Sequence, residues 1–129
     1  MKIRHDNNFL SIEPIDSLDY YAGYSIAAGC GQDEVSFYGS NEGVHFDQNP
    51  DAKKSFLDFQ SLQVHETVVD LTENCFIRLT RLSLGDLQVD FQICRYLYNA
   101  KFVGRIIVDG ELSTGFLRDL WRLAYYRAT

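Results

Sequence analysis

Few groupings in this chain have the residue types and spacing that chemistry needs. His45-x-Asp47 puts an imidazole and a carboxylate on one side of an extended segment. A catalytic zinc takes three protein ligands plus an open water position, so this pair alone makes no centre. His65 and Glu66 are adjacent, and neighbours in a strand point to opposite faces, so they do not act as a pair. Gly29-Cys30-Gly31 offers amides to an anion, but no helix follows, and the segment reads as a hairpin loop. There is no GxSxG elbow and no Ser or Cys nucleophile with a neighbouring base. We therefore assign no catalytic, cofactor-binding or metal-binding residue and expect no cofactor. The remaining candidates are Arg78, Arg81, Asp90, Gln92 and Tyr96, which form a polar outer face on the last hairpins. Arg and Tyr are favoured at protein interfaces, whereas the plain alternative is a sheet surface facing water. A rival group is Tyr20, Tyr24, Tyr96 and Tyr98, as the wall of an aromatic small-molecule pocket over the sheet.

These residues are positioned by strands. Period-two alternation marks strands at Phe9–Ile15, Tyr20–Ala28, Glu34–Tyr38 and Val44–Asp47, with residues 1–8 as a polar lead-in. Asn49-Pro50-Asp51 opens a helix: Asn caps, Pro suits the first helical position, and Asp complements the positive end of the dipole. Strands follow at Val64–Leu71 and Cys75–Leu84. In the latter, Ile77 and Leu79 share one parity, and Leu82 and Leu84 the other, which predicts a β-bulge near Thr80-Arg81. Gly85-Asp86 reads as a two-residue hairpin turn, setting Cys75 opposite Tyr96 and, after the bulge, nearer Cys94. Leu87–Leu97 is the clearest strand, and Phe102–Val108 the last. Ser113 or Thr114 then caps a helix whose buried stripe is Phe116, Leu117, Leu120, Leu123 and Ala124. The pattern predicts an α+β fold: a mainly antiparallel sheet of 6–8 strands with two helices, about 50–62 and 114–127, packed on it.

The chain of 129 residues is expected to be a single domain, 1–129, with one core. Residues 1–74 carry 13 acidic and 4 basic side chains, a net of −9, and residues 75–129 carry 5 acidic and 8 basic, a net of +3. An overall charge of −6 argues against a nucleic-acid partner, which needs clustered Lys and Arg. An acidic face instead steers a basic protein. No apolar run approaches the length of a membrane span, no leader-like segment opens the sequence, and an odd three cysteines without CxxC spacing read as reduced thiols. These features predict a cytoplasmic protein with no membrane association.

Taken in order, the helix with Phe56-Leu57, the strand ending at Glu73-Asn74, FIRLTRLSLGDLQVDFQICRYL and VGRIIVDGELSTGFLRDLWRL resemble a group of small uncharacterised bacterial proteins that are themselves similar to immunity proteins of secreted-toxin systems. The resemblance covers about Ser55 to Leu123. The chain departs from those proteins in having no Trp ahead of the meander, near Val69. What it implies is a non-catalytic interaction module that binds and blocks one basic toxin. A small-molecule binder or enzyme, and self-association through a sheet, are the other classes carried forward.

Overall fold

Alternating apolar side chains put one face of each strand toward a common interior, and the strands pair with their neighbours in sequence. The computed structural model describes residues 1–15, 23–32, 35–95 and 100–125. The strands are β1 (Lys2–His5), β2 (Asn8–Pro14), β3 (Tyr24–Gln32) and β4 (Val35–Val44), then β5 (Glu66–Asp70), β6 (Phe76–Arg81), β7 (Leu87–Arg95) and β8 (Ala100–Val108). Helix α1 (Pro50–Gln60) separates the two sets, and α2 (Gly110–Ala124) follows them. The result is an α+β fold of two four-stranded antiparallel sheets, in the orders β1-β2-β3-β4 and β5-β6-β7-β8.

The sheets meet at a corner. Beyond β4 and β5, Phe46 bridges Leu71 in antiparallel register, the Asp47 amide donates to the Asp70 carbonyl (2.9 Å), and the Thr72 amide to the His45 carbonyl (2.8 Å). Across the molecule β1 lies against β8 and β4 against β7. Leu10, Ile12, Ile26 and Ala28 of the first sheet and Val69, Ile77, Leu79, Val89 and Ile106 of the second belong to one buried cluster. Each of the Leu, Ile and Val side chains contributes about 1.5–3 kcal/mol by leaving water, and Ala28 correspondingly less.

Both helices are fixed at their ends by identifiable partners. Asn49 caps α1 by accepting from the Asp51 amide (3.0 Å), with Pro50 in the first position as expected. At the other end Arg81 Nη2 donates to the Phe59 carbonyl (3.1 Å) and its guanidinium sits over the Phe59 ring, 4.7 Å from the centroid. A cation is well placed at a helix C-terminus. Helix α2 begins at Gly110, earlier than the Ser113/Thr114 cap read from the sequence, because its first amide is capped from another segment: Asp86 Oδ1 accepts from Gly110 N (2.8 Å). A Cβ at Gly110 would lie 2.8 Å from the Leu84 carbonyl oxygen, so the approach requires glycine. Ser113, within the helix, bonds back to the Gly110 carbonyl instead. The last carbonyls of α2 are taken by the first sheet and its exit: Tyr24 donates to Leu123 O (2.9 Å) and Gln48 to Ala124 O (2.7 Å). Phe56 of α1 packs against Trp121 and Tyr125 at 5.8 and 5.6 Å between ring centroids.

Several local expectations change. Residues 2–5 are a strand, paired with β2 through a turn in which Asp6 takes φ 53°. Gly29-Cys30-Gly31 lies within β3, with Gly29 and Cys30 paired to both β2 and β4 and Gly31 to β4, so no loop falls there. Residues 39–43, which fall between the expected strands Glu34–Tyr38 and Val44–Asp47, continue β4, whose pairing with β3 runs from Tyr24↔Val44 to Gln32↔Val35. The register of β6 with β7 runs unbroken from Phe76↔Gln92 to Arg81↔Leu87, so Thr80-Arg81 holds no bulge. The parity slip has another cause: Leu82 and Leu84 have left the strand for a loop of 82–86, and both are exposed.

Asp86→Ala is expected to lower stability by about 1 kcal/mol through loss of the α2 cap, read as a shift of the thermal midpoint. Tyr125 supplies a pH test. Its hydroxyl is buried without a partner, and burial, with the carboxylates of Asp47 and Asp70, pushes it up from 10.0 to about 12. The folded chain then holds this proton where the unfolded chain releases it. The corresponding stability is intact below pH 10 and is lost between pH 10 and about 12, on the order of 2 kcal/mol. Tyr125→Phe is expected to flatten this alkaline limb in urea titrations and to leave neutral stability equal or higher.

Candidate interaction surfaces

The outward side chains of the second sheet form rows across four strands. Strand pairing aligns Val68, Arg78, Asp90 and Arg105 in one row, and Asp70, Phe76, Gln92 and Val103 in the next. Three of the sequence candidates, Arg78, Asp90 and Gln92, are thus brought together on one face. Their charges answer one another: Arg105 Nε reaches Asp90 Oδ1 (2.6 Å), Gln88 donates to Asp90 Oδ2 (2.9 Å), Arg78 Nε pairs with Glu66 Oε1 (3.0 Å), and Gln92 donates to the Asn74 carbonyl (2.9 Å). Such exposed pairs are each worth about 0–1 kcal/mol. The polar groups of this face are largely spent on cross-strand stabilisation.

Arg81 is not part of that face. It shares the inward parity of Ile77 and Leu79, and its side chain runs beneath the end of α1, where Nε is buried without an acceptor. Tyr96 lies outside the described residues, as do Tyr20 and Tyr98. Of the aromatic-pocket group only Tyr24 is described, and its hydroxyl is engaged by α2 while its ring packs edge-on against Phe46 at 5.0 Å. The His45-x-Asp47 pair also serves the scaffold. Asp47 Oδ1 accepts from the Asn49 amide (3.0 Å), and the His45 amide donates to Thr72 Oγ1 (2.9 Å). Among the described residues no three His, Cys, Asp or Glu side chains are grouped to hold a metal. Among the described residues no helix is long and apolar enough to cross a membrane.

A second surface was not singled out from the sequence. Among the described residues seven large hydrophobic side chains are exposed, and all but Val103 fall in three segments: Leu57, Leu62 and Val64 around the end of α1, Leu82 and Leu84 in the β6–β7 loop, and Leu112 in the first turn of α2. Hydrogen bonds collect these segments at one end of the molecule. The Phe59 carbonyl accepts from both the Leu62 amide and Arg81, the Arg81 amide donates to the His65 carbonyl (2.9 Å), and Asp86 caps Gly110. Leu84 is 95% exposed, Leu62 70% and Leu112 65%. Leu84 and Leu62 also take φ of 65° and 66°, the left-handed region that leucine avoids at a cost of about 1–2 kcal/mol. Exposed Asp109 and Glu111 flank Leu112, giving this apolar end an acidic margin. The parity slip at Leu82 and Leu84 was its trace in the sequence.

A groove of about 400 Å³ runs between β1, β8 and α2, floored by Ile3, Val108 and Phe116. Its lining mixes Lys2, Arg4 and His5 with Asp109 and Asp119. No family model, curated protein or solved structure matches the chain.

Leu84→Gly removes an exposed side chain from a left-handed position. It is expected to leave stability unchanged or to raise it by up to about 1 kcal/mol, as measured by chemical denaturation.

Proposed function

We propose that the protein is a protein-binding module that docks a basic partner through the apolar end formed by the α1 terminus, the β6–β7 loop and the first turn of α2. The observation carrying this reading is the gathering of Leu62, Leu82, Leu84 and Leu112 at one end, two of them on strained backbone. Folding alone gains nothing from a leucine that is 95% exposed at positive φ. Clustered exposed apolar residues mark interaction sites, and strain kept in a loop points the same way. The acidic margin at Asp109 and Glu111, and the net −9 of residues 1–74, favour a basic partner and speed its approach. With the sequence pattern of the immunity proteins, the reading becomes concrete: a cytoplasmic module that holds one bacterial toxin inactive. Small-molecule binding in the β1–β8–α2 groove is the weaker reading, because a lining of both charge signs selects no one ligand class.

The test is complex formation with basic toxin domains of bacterial secreted-toxin systems, measured by calorimetry, and no binding to any of them counts against the reading. Leu84→Glu with Leu112→Glu is expected to weaken binding by roughly 30-fold or more, the size of a hot-spot loss of about 2 kcal/mol. Arg78→Ala with Arg105→Ala, on the other face, is expected to leave it within about threefold. Undiminished affinity of the leucine double variant, or equal loss in the arginine variant, overturns the assignment of this surface.

A further inference from the structure

The register of β6 on β7 has a consequence for the cysteines. With Phe76 opposite Gln92, continuing the pairing by one residue sets Cys75 opposite Ile93, so Cys94 stands on the adjacent diagonal. For antiparallel strands about 4.8 Å apart with a rise of about 3.4 Å per residue, that diagonal separates Cα atoms by about 6 Å. Disulfides span Cα separations of about 4.4–6.8 Å. The sulfurs are drawn toward each other's segments. Cys75 Sγ lies 3.4 Å from the Cys94 amide nitrogen, which donates to it, and Cys94 Sγ lies 3.6 Å from the carbonyl of Asn74, the residue before Cys75. Cys75 is buried (1% exposed) beneath the strand, whereas Cys94 is half-buried on the outer side. An open cavity of about 540 Å³ reaches both, with Gln92 and Lys101 in its wall. Gln92 Nε2 holds the Cys94 sulfur at 3.4 Å, and Lys101 is its cross-strand partner on β8.

We infer that Cys75 and Cys94 are a peroxide-responsive thiol pair, Cys94 the residue attacked and Cys75 the resolving residue. The division of labour follows from access: only Cys94 presents its sulfur on the outer side of the sheet. Its thiolate attacks a hydroperoxide, the O–O bond breaks, and Cys94 becomes a sulfenic acid as hydroxide leaves. Cys75, as thiolate, then attacks that sulfur. The S–S bond forms, the sulfenic oxygen leaves and is protonated to water, and two thiols have been oxidised for one peroxide reduced. Cβ atoms one step apart on this diagonal start on opposite faces, so the bond forms only when the backbone of the β5–β6 turn shifts to bring Cys75 round, and a bond formed under such constraint is readily reduced again. Closing it fastens the β5–β6 turn, where Glu73 and Asn74 both take φ 62°, onto β7. The pair straddles the second sheet, with Cys94 outside and Cys75 in the core, and none of its residues belongs to the docking surface proposed above.

The test uses the full chain with Cys30→Ser, leaving only the two cysteines in question, exposed to hydrogen peroxide. Maleimide labelling after denaturation and intact mass are then read. Both labelling sites are expected to disappear together, with loss of the mass of two hydrogen atoms, and to return fully on adding dithiothreitol. In Cys75→Ser the same treatment is expected to drive Cys94 to sulfinic acid, which dithiothreitol does not reverse. Cys94→Ser changes a half-exposed position outside the core and is expected to leave Cys75 fully reduced throughout. Sulfinic acid at Cys94 with Cys75 still labelled in the parent, or oxidation of Cys75 at the parent's rate in Cys94→Ser, overturns the inference.

Discussion

Everything in this fold depends on the corner at which the chain leaves one sheet and enters the other. Phe46 and Leu71 pair there, and the Asp47–Asp70 and His45–Thr72 backbone bonds close around them. Residues 47–70 are therefore a closed excursion that departs and returns at one place. Helix α1 lies inside this excursion, so its direction is set by the corner together with its Asn49 cap and the Arg81 anchor at its end. Without the corner, two four-stranded sheets would each present an apolar face with no defined angle to the other. With it, the inner faces and the Phe56–Trp121–Tyr125 contact become parts of one core.

Arg81 illustrates how a single side chain couples distant parts of this arrangement. Its backbone ends β6, its amide donates to the carbonyl of His65 just ahead of β5, and its guanidinium holds the last turn of α1. A buried guanidinium nitrogen without an acceptor costs free energy. The helix-end carbonyl and the Phe59 ring offset that cost. The loop that follows Arg81 inherits a fixed starting direction, which projects Leu82 and Leu84 outward while Asp86 turns back to cap α2. One five-residue connection thus carries both the exposed surface and a structural cap.

The sequence made the fold class and most strands legible, because period-two alternation survives wherever a strand has one wet face: Leu87, Val89, Phe91 and Ile93 are all buried, as expected. The failures have physical causes. Lys2–His5 is mostly polar and its pairing depends on a left-handed Asp6, which propensity does not reveal. Gly29-Cys30-Gly31 has the composition of a turn but is held in β3 by strands on both sides, a tertiary override of local preference. The start of α2 was misplaced because its cap comes from Asp86, 24 residues earlier, and capping from a distant segment leaves no local pattern. The candidate site was legible only in part. Arg78, Asp90 and Gln92 share a face as expected, whereas Arg81 follows strand parity inward, and the apolar end leaves only a slip in alternation, a pattern that a bulge produces equally well.

The ties at the end of α2 bear on the order in which the molecule assembles. Every strand pair within the two sheets joins neighbours in sequence, so the pairing closes short loops. The bond from Tyr24 to the Leu123 carbonyl spans 99 residues, and that from Gln48 to Ala124 spans 76. Closing the longer loop costs about 2 kcal/mol more than closing a hairpin of about ten residues. Both sheets are built from four consecutive strands and pair locally. Seating the last turn of α2 on Tyr24 and Gln48 must close far longer loops, which low-contact-order pairing within a sheet avoids.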